Sequence, residues 1–527
     1  MIRESFCRPY NAATEFVDNN VARGLGSKMA FVDPQRSLTY AQLQAQTCRL
    51  ARALRRMGAR PEERMALMLY DTVEFPMAFW SAIRAGIVVI PLNTLLNAEQ
   101  YAYILADSRA GAIVVAAELL ATLRPILDLL PCLRLIVVVG AEAQDLQEFT
   151  SDRVHRIEDL LAAESAEPFT ADTVADEVAL WLYTSGSTGH PKGVRHVHSS
   201  LMATAKLFGQ GVLGIRPDDV VYSAAKLYFA YGLGNAMSFP MSVGATSILL
   251  PQRATPELVL DVMRRHHPTI FYAVPTLYAA LLAHKELGPS IGSKRLRMCV
   301  SAGEALPAAL GERWQDVVGV DILDGLGSTE MLQTFLSNRP GDVRYGSTGR
   351  AVDGYELKIV DDNGRELEDG EIGELIVRGP SAGDGYWHQR AKSLRTFVGE
   401  WTYTGDKFFR DRDGYYYCCG RTDDMFKVSG MWVSPFDVEA ALLSHEAVLE
   451  AAVVGHEDDD GLTKPKAFLV LKDGYAVDEA LLEGIKRHVK ERAGPWKYPR
   501  WFDIRRELPK TPTGKTQRFK LRQPSEA

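Results

Sequence analysis

Between about Arg64 and Val300, short apolar runs of strand length alternate with amphipathic segments of helix length, and this pattern restricts the fold more than any other feature of the chain. The runs are Met65-Ala-Leu-Met-Leu-Tyr70, Gly86-Ile-Val-Val-Ile90, Ala112-Ile-Val-Val-Ala116, Leu135-Ile-Val-Val-Val139, Ile270-Phe-Tyr-Ala-Val274 and Leu296-Arg-Met-Cys-Val300, and Pro256 to His266 is a typical amphipathic spacer. Runs this continuously apolar are strands buried on both faces, so the pattern predicts mainly parallel sheets covered by helices. Ligands of such sheets sit at the carboxyl ends of the strands.

Past about Gly346 the pattern changes. Tyr355 to Val360, Glu374 to Arg378 and Gly414 to Cys419 are separated by the turn signals Asp362-Asn-Gly364 and Asp413-Gly414, as in an antiparallel meander or small barrel. After Arg421 comes a third pattern: helix (Val438 to Leu443), strand (Ala451 to Val454), strand (Ala467 to Leu471), helix (Glu479 to Arg492) and a polar tail. The expected fold is α/β. A large N-terminal domain (1–422) with two helix-covered, mainly parallel sheets and a barrel-like β subdomain precedes a small α+β C-terminal domain (423–527), joined by a hinge.

A chain of 527 residues is too long for one core. Its net charge of -7 leaves no general basic surface for nucleic acid, so an anionic ligand needs a local constellation. No apolar run reaches the length of a bilayer span, and the N-terminus reads as no secretory signal. The six cysteines contain no CxxC, which suggests reduced thiols in a cytoplasm rather than zinc or disulfides, and the adjacent Cys418 and Cys419 read as packing residues. His196 and His198 read as polar structural residues. No internal repeat or low-complexity segment is present.

Tyr183-Thr-Ser-Gly-Ser-Thr-Gly-His-Pro-Lys-Gly193 combines hydroxyls, glycines and a lysine, which is the chemistry of an anion cradle. A Gly/Ser linker would share the composition. The buried strand expected over Val178 to Tyr183 argues instead for a phosphate loop, although the spacing is not G-x-x-x-x-G-K-[ST].

Four further motifs follow: Ser301-Ala-Gly-Glu-Ala-Leu-Pro307 and Asp324-Gly-Leu-Gly-Ser-Thr-Glu330, each expected after a strand, then Thr402-Tyr-Thr-Gly-Asp406 and Gly420-Arg-Thr-Asp-Asp-Met-Phe-Lys-Val-Ser-Gly430. The chain closes on Leu508-Pro-Lys-Thr-Pro-Thr-Gly-Lys515. In order and spacing these resemble the acyl-adenylate-forming superfamily of acyl-CoA ligases, peptide-synthetase adenylation domains and firefly luciferase.

The resemblance implies ATP, Mg²⁺ and CoA. A small-molecule carboxylic acid would attack the α-phosphorus of ATP, and the thiol would then take the acyl group. It implies that Thr184, Ser185, Gly186, Ser187, Thr188, Gly189 and Lys192 wrap the β- and γ-phosphates. Thr329 would donate to the α-phosphate, with Ser328 beside it, and Glu330 would hold Mg²⁺. Gly303, Glu304, Ala305 and Asp324 would line the nucleotide, Asp406 would accept from both ribose hydroxyls, and Arg421 would add a nearby cation. Lys515 matches the adenylation lysine, Asp423 the hinge, and Lys427, Ser429 and Gly430 the CoA tunnel. Asp423 and Asp424 read equally as a solvated turn.

Within the superfamily, Lys226-Leu-Tyr-Phe-Ala-Tyr-Gly-Leu-Gly-Asn235, Ser301 to Glu304 and Phe335-Leu-Ser-Asn338 resemble bacterial benzoate-CoA ligases. This implies an aromatic acid walled by Tyr228, Phe229, Ala230 and Tyr231, with Ala302, Leu326 and Gly327 beside it, where ordinary core packing is the alternative. Gly327, a Trp in acetate-type relatives, is expected to leave room for a ring. Gln333 and Thr334 stand where benzoate-CoA ligases carry His-Ile, and as buried polar groups they point to a hydroxy-, amino- or hetero-substituted ring. Another aryl or heteroaryl acid, or a carrier-protein thiol as acceptor, is the alternative reading, with free CoA favoured because no carrier domain follows Lys515. Neither a nucleic acid nor a membrane partner is expected, and the chain is expected to be a monomer or homodimer.

Overall fold

Strands begin earlier in the chain than the apolar runs predict. The computed structural model describes residues 9–146, 153–184, 190–422, 424–428, 431–458, 462–494, 497–510 and 516–522. The first hairpin is β1 (Met29–Val32) and β2 (Ser37–Thr39). Seven strands follow: β3 (Arg64–Met68), β4 (Val88–Pro91), β5 (Ala112–Ala116), β6 (Leu135–Val139), β7 (Val154–Arg156), β8 (Val178–Thr184) and β9 (Lys192–Val197). They form one sheet in the order β7-β6-β5-β3-β4-β8-β9, parallel except for the β8–β9 hairpin.

Next come β10 (Val220–Ser223), β11 (Thr246–Ile248), β12 (Ile270–Ala273), β13 (Met298–Ala302), β14 (Ile322–Gly327), β15 (Thr334–Ser337) and β16 (Arg350–Ala351). With the opening hairpin they make a second sheet, β16-β15-β14-β13-β12-β10-β11-β1-β2, whose parallel centre carries antiparallel edges. Side chains alternate between its faces as they do in the first sheet. Met65, Leu67 and Val114 from the first sheet share one core with Val221, Tyr272 and Val300 from the second. The opposite faces, with Ala66, Ile113 and Val115 or with Phe271, Cys299 and Ile322, feed separate cores under the outer helices. Burial on both faces, at about 1.5–3 kcal/mol per large apolar side chain, is why these strands read as unbroken apolar runs.

Helix starts follow their caps. α1 (Tyr40–Arg56) and α2 (Ala98–Ser108) begin at reciprocal capping boxes, Thr39 with Gln42 and Asn97 with Gln100. α3 (Ala230–Leu233) lies in the segment after β10, and α4 (Pro256–His266) starts at a Thr255 cap with Pro at its first position.

β17 (Glu356–Val360), β18 (Gly373–Arg378), β19 (Phe397–Val398), β20 (Trp401–Arg410) and β21 (Tyr416–Arg421) form the antiparallel third sheet, with α5 (Arg390–Thr396) between β18 and β19. Beyond it lie the hairpin β22 (Phe426–Val428) and β23 (Met431–Val433), then α6 (Pro435–Leu443), β24 (Val448–Glu457), β25 (Thr463–Leu471) and α7 (Glu479–Ala493). Among the described residues, the expected polar tail carries two further elements. β26 (Trp501–Ile504) pairs in parallel with β25, and α8 (Arg518–Arg522) puts Leu521 into a small core with Val454 and Phe468. Cys418 and Cys419 are packing residues: burial pushes the Cys418 thiol well up and that of Cys419 to about 12.

Candidate active site

The carboxyl ends of β10, β13 and β14 bring three of the marked segments to one edge of the second sheet: Lys226 to Tyr231, Ala302 to Ala305 and Leu326 to Glu330. The motifs sit deeper in the strands than expected. Ser301 and Ala302 belong to β13 and Asp324 to Gly327 to β14, so the first residues of each motif are strand residues with buried faces. Asp406 and Arg421 likewise lie in β20 and β21. Ser185, Gly186, Ser187, Thr188, Gly189, Asp423, Ser429, Gly430 and Lys515 lie outside the described residues, and so does the side chain of Lys427 in β22. Thr184 and Lys192 are paired across the base of the β8–β9 hairpin and bracket the loop.

Lys192 reaches from the first sheet to the second. Its Nζ is 3.8 Å from Glu330 Oε1 and 4.0 Å from the centre of the Tyr386 ring, while the Tyr386 hydroxyl donates to the same Oε1 at 2.6 Å. Burial lowers the Lys192 pKa, Glu330 opposes that shift, and the Lys392 and Arg421 charges add to it. His196, four residues further along β9, is fully buried and held to about 4 by that burial. It is therefore neutral, and Nε2–H donates to the Thr329 carbonyl at 2.8 Å. Ser328 Oγ accepts from Met331 N within the same turn, and Leu332 beside it has a φ of 65°, a strained setting that costs about 1–3 kcal/mol. This turn is thus clamped by β9, which sequence spacing alone could not show.

Asp406 and Arg421 face each other across β20 and β21 at 3.2 Å. Asp324 is 4% exposed, and burial pushes its carboxyl well above the usual range. Its Oδ1 and the Oγ of Ser301, its Cα partner on β13, are both buried without a hydrogen-bond partner among the described residues. Two such orphans at the mouth of a sheet fit a ligand that brings polar groups.

The aromatic segment is held at both ends. Asp71, 3% exposed just beyond β3, accepts from Leu227 N and lies 3.9 Å from Lys226 Nζ; the lysine in turn donates to the carbonyls of Leu250 and Gln252. Tyr228 and Phe229 pack edge to face with ring centres 4.7 Å apart, and Tyr228 joins the shared core. The Tyr231 hydroxyl is spent on two strand carbonyls, Ala273 at the end of β12 at 3.3 Å and Val300 in the middle of β13 at 3.1 Å.

Two expectations are corrected here. Gln333 and Thr334 do not need a polar ligand, because they satisfy each other. Gln333 Nε2 donates to Ala230 O and Tyr231 O, and its Oε1 accepts from both Thr334 N and Thr334 Oγ1. All four hydrogen-bonding positions of the carboxamide are filled. Gly234 makes the clasp possible, since a Cβ there would stand 2.2 Å from Gln333 Nε2. The inference to a substituted ring therefore loses its basis. Gly327 also does something other than leave room for a ring: its missing Cβ would meet the backbone of Gln333 and Thr334 at 2.7–2.9 Å, so glycine permits the close β14–β15 hairpin. Gln333→Leu is accordingly expected to cost about 1–3 kcal/mol from stranded backbone groups, read as a fall in Tm, with the ranking of ring-substituted acids unchanged.

Comparison with known proteins gives the arrangement its family. The model for AMP-binding enzymes matches residues 18–387, and that for the AMP-binding enzyme C-terminal domain matches 437–515. The chain belongs to this family. A 4-hydroxybenzoate/benzoate–CoA ligase of Rhodopseudomonas palustris is 54% identical over 98% of this chain and 94% of its own length. The benzoate–CoA ligase of Thauera aromatica is 50% identical over 97% and 96%. The crystal structure of an anthranilate CoA ligase in complex with anthranoyl-AMP superposes with a TM-score of 0.93 at 41% identity, covering 99% of this chain and 98% of that one. This family member is an AMP-forming acid–thiol ligase of the aryl-CoA ligase kind. Among the described residues, no helix is long and apolar enough to cross a membrane.

Tyr386 and Asp71 contact these segments and were missed by motif reading, whereas Lys226 stood in a quoted segment without a role of its own. The available signal for Tyr386 was Gly383-Asp-Gly-Tyr386, a glycine-punctuated approach to an aromatic.

Proposed function

We propose that this protein activates benzoate or a hydroxybenzoate with ATP and passes the aroyl group to CoA, in a cytoplasmic setting. The observation that carries the reading is the Lys192–Glu330–Tyr386 cluster beside the Asp406–Arg421 pair, in a chain 54% identical to a ligase for 4-hydroxybenzoate and benzoate. In the first step a carboxylate oxygen bonds to the α-phosphorus and pyrophosphate leaves. In the second the CoA thiol adds to the acyl carbon, loses its proton, and AMP leaves.

Lys192, with Thr184 and residues 185–189, takes the β- and γ-phosphates, and Thr329 donates to the α-phosphate as charge builds there. Asp324 Oδ1 offers its unfilled acceptor to the adenine amino group, with Gly303, Glu304 and Ala305 along the base. Asp406 accepts from the ribose hydroxyls and Arg421 steadies its carboxylate. Glu330 is a hard oxygen donor suited to Mg²⁺, which when bound would neutralise phosphate charge. The ring lies against Tyr228 to Tyr231, Ala302 and Leu326. Lys515 bridges the acid and the α-phosphate, the domain from 423 onward turns about Asp423, and Lys427, Ser429 and Gly430 line the thiol's path.

The test is CoA-dependent AMP release from Mg-ATP across benzoate, hydroxybenzoates, aminobenzoates, furoate, phenylacetate and short fatty acids. Equal yields of AMP and aroyl-CoA from benzoate or a hydroxybenzoate support the reading. AMP without acyl-CoA would redirect it to a carrier-protein acceptor, and no AMP with any acid would overturn it.

A further inference from the structure

The geometry points to Tyr386 as a positioning residue for the nucleotide's polyphosphate end, holding Lys192 and Glu330 apart yet aligned. The proposal rests on the nucleotide reading of those two residues. Left to themselves, an ammonium and a carboxylate close to about 2.7–2.9 Å and neutralise each other. Here they stop at 3.8 Å, because the ammonium lies over the Tyr386 ring at 4.0 Å while the phenol O–H takes up Glu330 Oε1 at 2.6 Å. Ring and hydroxyl thus divide the work of a contact ion pair. The lysine charge stays available to phosphate oxygens, and the carboxylate stays oriented.

The phenol is suited to this role. A phenol is protonated at neutral pH and so has an O–H to donate to a carboxylate. Its backbone is fixed from several sides. Asp384 N donates to Arg195 O at 2.8 Å, Arg195 N to Gly385 O at 3.1 Å and Trp387 N to Gly193 O at 2.9 Å, an antiparallel bridge that sets Tyr386 opposite Val194 of β9, the strand that carries Lys192. Gly383 N caps the Glu330 carbonyl at 2.8 Å. Gly385 takes a φ of +114°, which only glycine adopts readily, and thereby turns the next side chain toward Lys192. Tyr386 N donates to Ser393 Oγ on α5 at 3.0 Å, and its ring meets Phe397 at 5.4 Å. The residue that joins Lys192 to Glu330 is therefore pinned to the backbone of both.

Only the β- and γ-phosphates would sense this arrangement, so ATP and pyrophosphate should depend on it and AMP should not. Calorimetric titration of ATP, pyrophosphate and AMP with Mg²⁺ into wild type, Tyr386→Phe and Tyr386→Leu tests it. Tyr386→Phe keeps the ring and loses the donor; it is expected to weaken ATP and pyrophosphate about tenfold and AMP less than twofold. Tyr386→Leu, which also loses the ring under Lys192, should weaken them further. In turnover, KM for ATP should rise with KM for the acid unchanged. An equal loss for ATP and AMP, or wild-type ATP affinity in Tyr386→Phe at an unchanged Tm, would sink the proposal. A wild-type protein that binds neither nucleotide would instead remove the nucleotide reading on which it stands.

Discussion

Arg518→Met is expected to destabilise the C-terminal unit by about 3–5 kcal/mol, the usual loss when one member of a buried charge pair is removed. Arg518 grips Glu439 through two hydrogen bonds, 3.1 Å from Nε and 2.7 Å from Nη2, and the pair's side chains are only 12% and 8% exposed. Glu439 Oε1 also accepts from Val453 N, so α8, α6 and β24 meet at one carboxylate. Burial holds the Glu439 pKa above the ordinary carboxylate value, and Arg518 pulls it back down. Without the arginine it rises further. A raised folded pKa means that the folded state binds the extra proton, so the penalty is largest at high pH and shrinks as pH falls through that pKa. The Tm gap between variant and wild type should therefore narrow from pH 8 to pH 5. A gap that widens on acidification would show that Glu439 is not the group left exposed to the loss.

Lys515→Ala is expected to slow acyl-adenylate formation about a hundredfold or more, the scale of removing one charge-stabilising donor. Thioester formation from supplied aroyl-AMP and CoA should stay within severalfold of wild type, because the charge on phosphorus is already resolved in that step. Pyrophosphate exchange reads the first half-reaction and consumption of synthetic aroyl-AMP the second. Equal losses in both would remove Lys515 from the first step. The two predictions are linked along the chain: α8 begins at Arg518, three residues past Lys515, and its anchor on Glu439 and Asp424 ties the segment after the lysine to residues just beyond the proposed hinge. Arg518→Met should thus also depress adenylation more than thioester formation.

Much of the fold was legible because its cause is local. Ala112–Ala116 and Leu135–Val139 are strands over the very residues of their apolar runs, and Pro256–His266 is a helix from its proline to its last basic residue. In each case period, cap and breaker agree within a dozen residues. β1, β2 and β26 were not legible. Met29–Val32 and Trp501–Ile504 are four residues each, too short to show a period, and they are strands because β11 and β25 offer them open edges. The family motifs were legible in the same local sense, since glycine, hydroxyl and charge stand at fixed short spacings.

The sequence alone was enough for the longer buried strands such as Ala112–Ala116 and Leu135–Val139, for helices such as Pro256–His266, and for the short motifs that mark the family. All of these depend on neighbours along the chain. Only the tertiary structure decided that Gln333 spends its amide on Ala230, Tyr231 and Thr334 rather than on a ligand, that Gly327 serves a hairpin, and that Tyr386 stands between Lys192 and Glu330. Whether a buried polar group is free for a substrate depends on which distant donor or acceptor reaches it first. That is settled when sheets and turns far apart in the chain are packed together, and no spacing along the chain records it.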